Sequence, residues 1–230
     1  MIDFHSHILP AVDDGSADID ESLALLELLS GQGVDTVVAT PHFYANHTSV
    51  EAFLTRRQDA YNQLKAAMPN SSPEILLGAE VRYYEGISRM RELRSLCIGD
   101  TRLLLLEMPM GHWTEYMVRE LIDLACSTRI RLVLAHVERY YAAQDRSVWD
   151  RLRDSDVLLQ VNASFFLGFG TRRRAVRMLD AGEIHLIGSD CHNLTDRKPQ
   201  LDKAAAYIEK RLGAAFWEQM NEHTARLLLP

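Results

Sequence analysis

Apolar residues fall into seven short runs, separated by longer amphipathic stretches, along this 230-residue chain. The runs cover 2–7, 34–40, 74–80, 102–107, 131–136, 157–162 and 183–188. Several are nearly unbroken, as in Leu103-Leu104-Leu105-Leu106 and Leu132-Val133-Leu134-Ala135. Continuous apolarity, rather than alternation, predicts parallel strands covered on both faces. The stretches between them predict helices. The first opens near Ser16 or Asp18, carries Asp18, Asp20 and Glu21 at its start, and stops before Gly33. Others are expected over about 50–68, 86–97, 113–128, 147–153 and 172–181, and 199–229 reads as two or three more. Such alternation over seven units predicts an α/β fold, either a barrel or a doubly wound sheet.

The polar residues that interrupt this pattern decide between the two. His5 and His7 stand one residue apart on a strand, where side chains alternate faces, so both point the same way. Two imidazoles on one side form a bidentate grip for a divalent metal. An isolated pair of this kind is as readily two histidines on a half-exposed strand. Here, however, His42, Glu80, Glu107, His136, Asp190 and His192 all fall at, or just past, the C-terminal ends of later runs, and Asp14 lies in the first loop. In a parallel barrel those ends surround one rim. In an open sheet, distant strand ends could not all meet. The expected fold is a closed, TIM-like barrel of seven βα units in a single domain over 1–230.

Composition narrows the function classes. A net charge of −7 argues against a general nucleic-acid surface and suits cation binding. Cys97, Cys126 and Cys191 are too few and too widely spaced for a disulfide framework. No signal-like segment precedes the first run, and none of the apolar runs reaches the ~18 residues of a membrane span. A reducing cytoplasm without membrane insertion is expected.

The motifs resemble those of the PHP (polymerase and histidinol phosphatase) superfamily, and more narrowly the bacterial tyrosine-protein phosphatases of the CpsB/YwqE type. The resemblance rests on His5-Ser6-His7-Ile8-Leu9-Pro10 running into Asp13-Asp14-Gly15. It rests equally on Ala39-Thr40-Pro41-His42, Gly78-Ala79-Glu80, Ala135-His136-Val137-Glu138-Arg139-Tyr140 and Gly188-Ser189-Asp190-Cys191-His192-Asn193. It implies a distorted (β/α)7 barrel holding up to three divalent metal ions. The implied ligands are His5, His7, Asp14, His42, Glu80, Glu107, His136, Asp190 and His192, and Arg139 and Arg197 are implied to grip the substrate phosphate. The implied partner is a tyrosine-phosphorylated protein, namely the tail of a bacterial tyrosine kinase governing capsular or exopolysaccharide synthesis. Cys191 departs from the pattern, which would have a small residue such as alanine there.

This residue set suits phosphate-ester hydrolysis. Clustered cations neutralise phosphoryl oxygens and lower the pKa of a water from about 15.7 towards about 7. Five histidines with four carboxylates favour manganese foremost, or iron or zinc, over magnesium or calcium alone. Glu80 and Glu107 can each bridge two ions. Arginine forks match phosphate geometry. A water or His42 could protonate the leaving phenolate. Aromatic walls are expected among Phe43-Tyr44, His112-Trp113, Tyr140-Tyr141 and Phe165-Phe166, although such residues often pack a barrel rim. His47 and His223 carry no partner spacing, His185 reads as a core histidine, and Asn162 could support the ligands from behind. Arg172-Arg173-Arg174 with Arg177 reads first as a solvated helix start.

Three other readings compete. Cys191 and Arg197 satisfy C-x5-R, the spacing of thiol-based phosphatases, but acidic neighbours raise a thiol pKa and the loop lacks glycine. A PHP-type phosphomonoesterase for a small molecule, such as a histidinol phosphatase, keeps the metals and changes the substrate. A non-catalytic metal-dependent module would be expected to have lost ligands, and all nine are present.

Overall fold

Unbroken apolar runs bury on both sides only when each strand is sandwiched, and the chain achieves this by curling a parallel sheet on itself. The structure is a computed structural model and describes residues 1–126 and 130–229. Among these, the strands are β1 (Ile2–Ser6), β2 (Thr36–Ala39), β3 (His42–Phe43), β4 (Glu74–Leu77), β5 (Glu80–Arg82), β6 (Leu103–Glu107), β7 (Arg131–Leu134), β8 (Leu158–Asn162) and β9 (Leu186–Gly188). The helices are α1 (Ile19–Gly31), α2 (Val50–Ala67), α3 (Glu115–Ala125), α4 (Arg146–Asp154), α5 (Arg172–Asp180), α6 (Leu201–Leu212) and α7 (Ala214–Leu227). Side-chain oxygens of Asp18, Ser49 and Thr114 cap the N-termini of α1, α2 and α3.

One sheet has the order β1-β2-β4, the other β3-β5-β6-β7-β8-β9, and every pairing is parallel. Two of the seven expected runs are each followed by a second short strand. Run 34–40 forms β2, and β3 follows it past Thr40-Pro41; run 74–80 forms β4 and reaches the first residue of β5 after Gly78-Ala79. The two ends of the sheet also meet. Ser6 bridges Cys191 in parallel, the His7 N–H donates to the Cys191 carbonyl at 2.9 Å, and the Asp190 N–H to the His5 carbonyl at 2.8 Å.

Burial separates into two apolar layers. An inner cluster joins Phe4, Val38, Leu103, Leu105, Val133, Ala135, Leu158 and Leu186, with Leu76, Leu227 and Leu228 packed against it. The larger outer cluster includes Leu25, Leu29, Val37, Leu104, Leu106, Leu121, Leu132, Leu134 and Val161, and lies between strands and helices. On several strands the inner residues keep one parity, and polar residues of that parity follow towards the carboxyl end. Leu103 and Leu105 lead to Glu107, Leu158 to Gln160 and Asn162, Leu76 to Glu80, and Val38 to His42.

The sequence pattern misplaces one helix. Residues 86–97 form two short 3-10 turns, Ile87–Arg89 and Arg91–Leu96. The Glu120 carboxylate on α3 accepts the backbone N–H of Gly86 at 3.1 Å and of Ser88 at 3.3 Å. Those donors are anchored from outside the turn, and Met90 is extended (φ −70°, ψ 120°), so no continuous helical ladder forms. The helix expected over 113–128 is α3, and residues 127 and 128 lie outside those described. The 199–229 stretch forms α6 and α7. No helix among the described residues is long and apolar enough to cross a membrane.

His185, expected in the core, is half-buried and hydrogen-bonded. Its Nδ1 accepts the Leu159 N–H at 3.0 Å. Burial, with smaller contributions from His223, Arg131 and Arg153, lowers its pKa to about 4 from 6.5. Between those values the unfolded chain binds the proton and the folded chain does not. The contribution of His185 is therefore complete above pH 6.5 and is lost as pH falls towards about 4. Thermal melts of His185→Asn should lose less Tm than wild type over that interval; parallel pH profiles would remove His185 from the acid sensitivity.

Candidate metal centre

Local backbone devices bring the polar strand ends into one mouth. A register shift between Asp3 and Ser6 interrupts the β1–β2 ladder. It lets Phe4 stay in the inner cluster while His5 and His7 turn upward. His136 follows inner-layer Ala135 directly, and a left-handed backbone (φ 33°, ψ 52°) redirects its side chain. Asp190 is also left-handed, with φ 53°. Neither is glycine, so both hold strain that surrounding bonds must offset. Two glycines permit the close approach. A Cβ on Gly188 would stand 2.5 Å from the His5 Cβ and 2.7 Å from its backbone nitrogen, and one on Gly15 would stand 2.3 Å from the His7 carbonyl oxygen.

Glu80 lies at the centre and is fully buried. Its Oε2 is 3.3 Å from the Nε2 of both His5 and His7 and 3.0 Å from His42 Nδ1, while Oε1 is 2.8 Å from His136 Nε2. Asp190 Oδ1 is 3.7 Å from His5 Nε2 and 3.5 Å from His7 Nε2. Asp14, at the exposed edge, is 3.5 Å from His42 Nε2 and 3.6 Å from His192 Nε2. Glu107 Oε1 is 3.7 Å from His136 Nε2. The nine expected ligands thus share one neighbourhood. Within it, three adjoining groups each place their donor atoms within 4.8 Å of one another: His7 with Asp14, His42 and His192; His5 with His7 and Asp190; and His42 with Glu80 and Glu107. His136 is in none of the three and touches the cluster through Glu80 and Glu107.

The donor chemistry fits cations. Four buried atoms of this cluster, His42 Nδ1, Glu80 Oε2, His136 Nδ1 and His192 Nε2, make no well-aligned hydrogen bond, even where His42 Nδ1 and Glu80 Oε2 stand 3.0 Å apart. Buried polar atoms are ordinarily paired. Here unpaired lone pairs converge instead. Outer partners fix the ring orientations: Asp13 Oδ2 takes His7 Nδ1 at 2.7 Å, and the Asp190 carbonyl takes His192 Nδ1 at 2.9 Å. Burial alone would lower the His7 pKa, but its bonds to Asp13, Asp190 and Glu80 raise it well above the ordinary value. Burial would raise the Glu80 pKa, but the charge of His5 and bonds from His136 and His42 hold it well below. Surroundings that hold positive charge this firmly on imidazoles also favour a cation.

Arg139 and Arg197 flank the mouth about one-third exposed, bound to opposite oxygens of Asp190: Arg139 by a short bond to Oδ2, Arg197 to Oδ1 at 3.0 Å. Of the expected aromatic walls, only Tyr44 stands beside the cluster, 5.3 Å from the His42 ring and half-buried. Phe43, Trp113, Tyr140, Phe165 and Phe166 are core residues. Tyr141 stacks on Trp149 at 4.5 Å. Cys191 is fully buried, and burial, followed by the nearby Asp3 charge, pushes its thiol far up. The backbone N–H groups of Asp190, Cys191, His192, Thr195 and Arg197 are all engaged within the protein. A fully buried thiol held protonated cannot attack a phosphate, which removes the thiol-phosphatase reading.

Sequence reasoning passed over Asp13, Gln160 and Arg82 as contributors. Arg82 NH1 is 2.6 Å from Glu107 Oε2. Asp13 also accepts the His42 N–H at 2.7 Å. A signal was available: Asp13 sits inside a quoted motif, and Gln160 and Arg82 stand at inner-parity or strand-end positions.

Comparison with known proteins gives the family. The family model described as capsular polysaccharide synthesis, CpsB/CapC, matches residues 1–229. The chain belongs to this family. It is 31% identical to the tyrosine-protein phosphatase YwqE of Bacillus subtilis, covering 99% of this chain and 91% of that protein. It is 30% identical to the tyrosine-protein phosphatase CpsB of Streptococcus pneumoniae, covering 93% and 92%. A chain from the crystal structures of these two enzymes, described as unique metal-dependent tyrosine phosphatases, superposes with a TM-score of 0.83 at 28% identity, over 99% of this chain and 94% of that one.

The close approach at Gly188 gives a direct test. Gly188→Ala must push β1 and β9 apart at His5, so bound divalent metal per chain should fall and the urea midpoint should drop. Unchanged metal content and midpoint would show that the approach is not needed.

Proposed function

We propose that this chain is a metal-dependent protein-tyrosine phosphatase acting on a bacterial tyrosine kinase that controls capsular or exopolysaccharide synthesis. The observation that carries it is the juxtaposition of three adjoining donor groups with two arginine forks in one mouth. The full-length likeness to tyrosine phosphatases gives the substrate class. The curled sheet is read as a distorted (β/α)7 barrel, counting β2 with β3 and β4 with β5 as one strand each.

Up to three ions would be held by the three donor groups, with manganese the leading candidate and iron or zinc as alternates. Such ions supply charge neutralisation for the phosphoryl oxygens and acidify a water. The remaining work belongs to the protein. Arg139 and Arg197 reach Asp190 from two sides, so a phosphate at the mouth would meet both forks after small side-chain rotations. Tyr44 offers its ring to the phenyl group of the substrate. His42 adjoins two donor groups, and the one lone pair of its neutral ring can serve an ion in either, which favours it as a ligand over a proton source. A phenol of pKa about 10 leaves without strong acid assistance. Glu80 and Glu107 would share an ion with His42 in their common donor group, while Arg82 holds the second oxygen of Glu107.

Chelation should abolish hydrolysis of a phosphotyrosine peptide, and Mn²⁺ should restore it; full turnover by metal-free protein would refute the mechanism. His136→Ala should lower kcat by roughly 100-fold or more, whereas Arg139→Ala and Arg197→Ala should act chiefly on KM, by about tenfold. Cys191→Ser should retain most activity. Preferential hydrolysis of histidinol phosphate over phosphotyrosine peptides would replace the protein substrate with a small molecule.

A further inference from the structure

Strand β8 brings no histidine or carboxylate to the mouth, yet two buried amides occupy its inner positions there. Gln160 is fully buried and Asn162 nearly so. They stand two apart on one strand, directly above Leu158 of the inner cluster. A primary amide in such a place is costly unless its polar atoms are bonded. Their partners are the ligand-bearing groups themselves. Gln160 Oε1 accepts the His136 backbone N–H at 2.7 Å and lies 3.3 Å from His5 Nδ1. Gln160 Nε2 donates to Asn162 Oδ1 at 3.2 Å, and Asn162 Nδ2 donates to Asp190 Oδ2 at 2.8 Å. The amide orientation of Gln160 follows from the His136 N–H, which can only donate.

We infer that Gln160, acting with Asn162, is the positioning residue of the metal centre: one amide chain sets the ring state of His5, holds the strained backbone of His136 and steers Asp190. The inference rests on the metal-centre reading above. An acceptor at Gln160 Oε1 selects the His5 form protonated on Nδ1, which turns the Nε2 lone pair towards Glu80 and His7. The same oxygen fixes the N–H of a residue whose left-handed backbone would otherwise relax. Asn162 occupies the Asp190 oxygen that Arg139 also reaches, and so leaves Oδ1 facing His5 and His7. Gly188 makes room for the arrangement, since a Cβ there would stand 3.1 Å from Gln160 Nε2.

The test uses the full chain stripped of metal and titrated with Mn²⁺ and Zn²⁺ against a chromophoric chelator, with turnover of a phosphotyrosine peptide measured in parallel. Gln160→Leu should weaken at least one ion by about 10–100-fold and lower kcat while leaving KM nearly unchanged. Gln160→Glu, which keeps the acceptor for the His136 N–H and His5 Nδ1 but loses the donor to Asn162, should recover more of the affinity than Gln160→Leu but not all of it. Wild-type affinity and stoichiometry in Gln160→Leu would overturn the inference. Should that variant fail to fold, ¹⁵N NMR of the Zn²⁺-loaded wild type decides: His5 protonated on Nδ1 supports the assignment, and protonation on Nε2 overturns it. If the wild type binds ions and the variants are indifferent, only this inference falls; if the wild type binds none, the metal reading falls and takes this one with it.

Discussion

A carboxylate without solvent contact, ringed by four imidazoles, is the constraint around which this protein is arranged. Glu80 is within 3.3 Å of ring nitrogens of His5, His7, His42 and His136. Burying that charge is costly unless it is matched. The imidazoles match it only by holding protons, which burial resists. Divalent ions resolve the conflict, because they leave each imidazole neutral and each carboxylate ionised. The cluster is therefore an arrangement whose electrostatics favour cations and whose geometry already separates donors into three groups.

The curled parallel sheet is what makes this crowding attainable. Its inner parity carries leucine, valine and phenylalanine at depth and changes to donors at the carboxyl ends. Strands whose parity already fits, such as β6 with Glu107, need no distortion. Those that do not are corrected locally, by a bulge in β1 and a left-handed His136 after β7, and a break between β4 and β5 precedes Glu80. Arg57 braces that last break by donating to the Gly78 carbonyl at 2.6 Å. Each correction spends backbone regularity to aim one side chain, which is why irregularity concentrates at one end of the sheet.

Much of this was legible in the residues. Continuous apolar runs marked both-face burial, and the recurrence of His, Asp and Glu at run ends marked a single rim. The first helix start, read as near Ser16 or Asp18, followed from capping chemistry, and Asp18 supplies the cap. What escaped has a common cause: it depends on a distant partner. Residues 86–97 have helical periodicity, but Glu120, more than thirty positions away, claims their backbone donors. The aromatic pairs beyond the strands look alike in sequence, and only packing separates mouth-facing Tyr44 from Trp113, wedged between Tyr140 and Trp149. Gln160 carries no motif of its own. Its importance follows from inner-face parity only after β8 has been placed between β7 and β9.

The same dependence bears on Asp190. It is approached by His5, His7, Arg139, Arg197 and Asn162, so its two oxygens serve a candidate ion site and a candidate anion site at once. An ion on Oδ1 would compete with Arg197 for that oxygen, and a phosphate would compete with Asp190 for both arginine forks. Filling the mouth with cation and anion together removes both competitions, whereas filling it with either alone removes one. Metal and phosphate are then expected to favour each other's binding through this one carboxylate, without any movement of the surrounding strands.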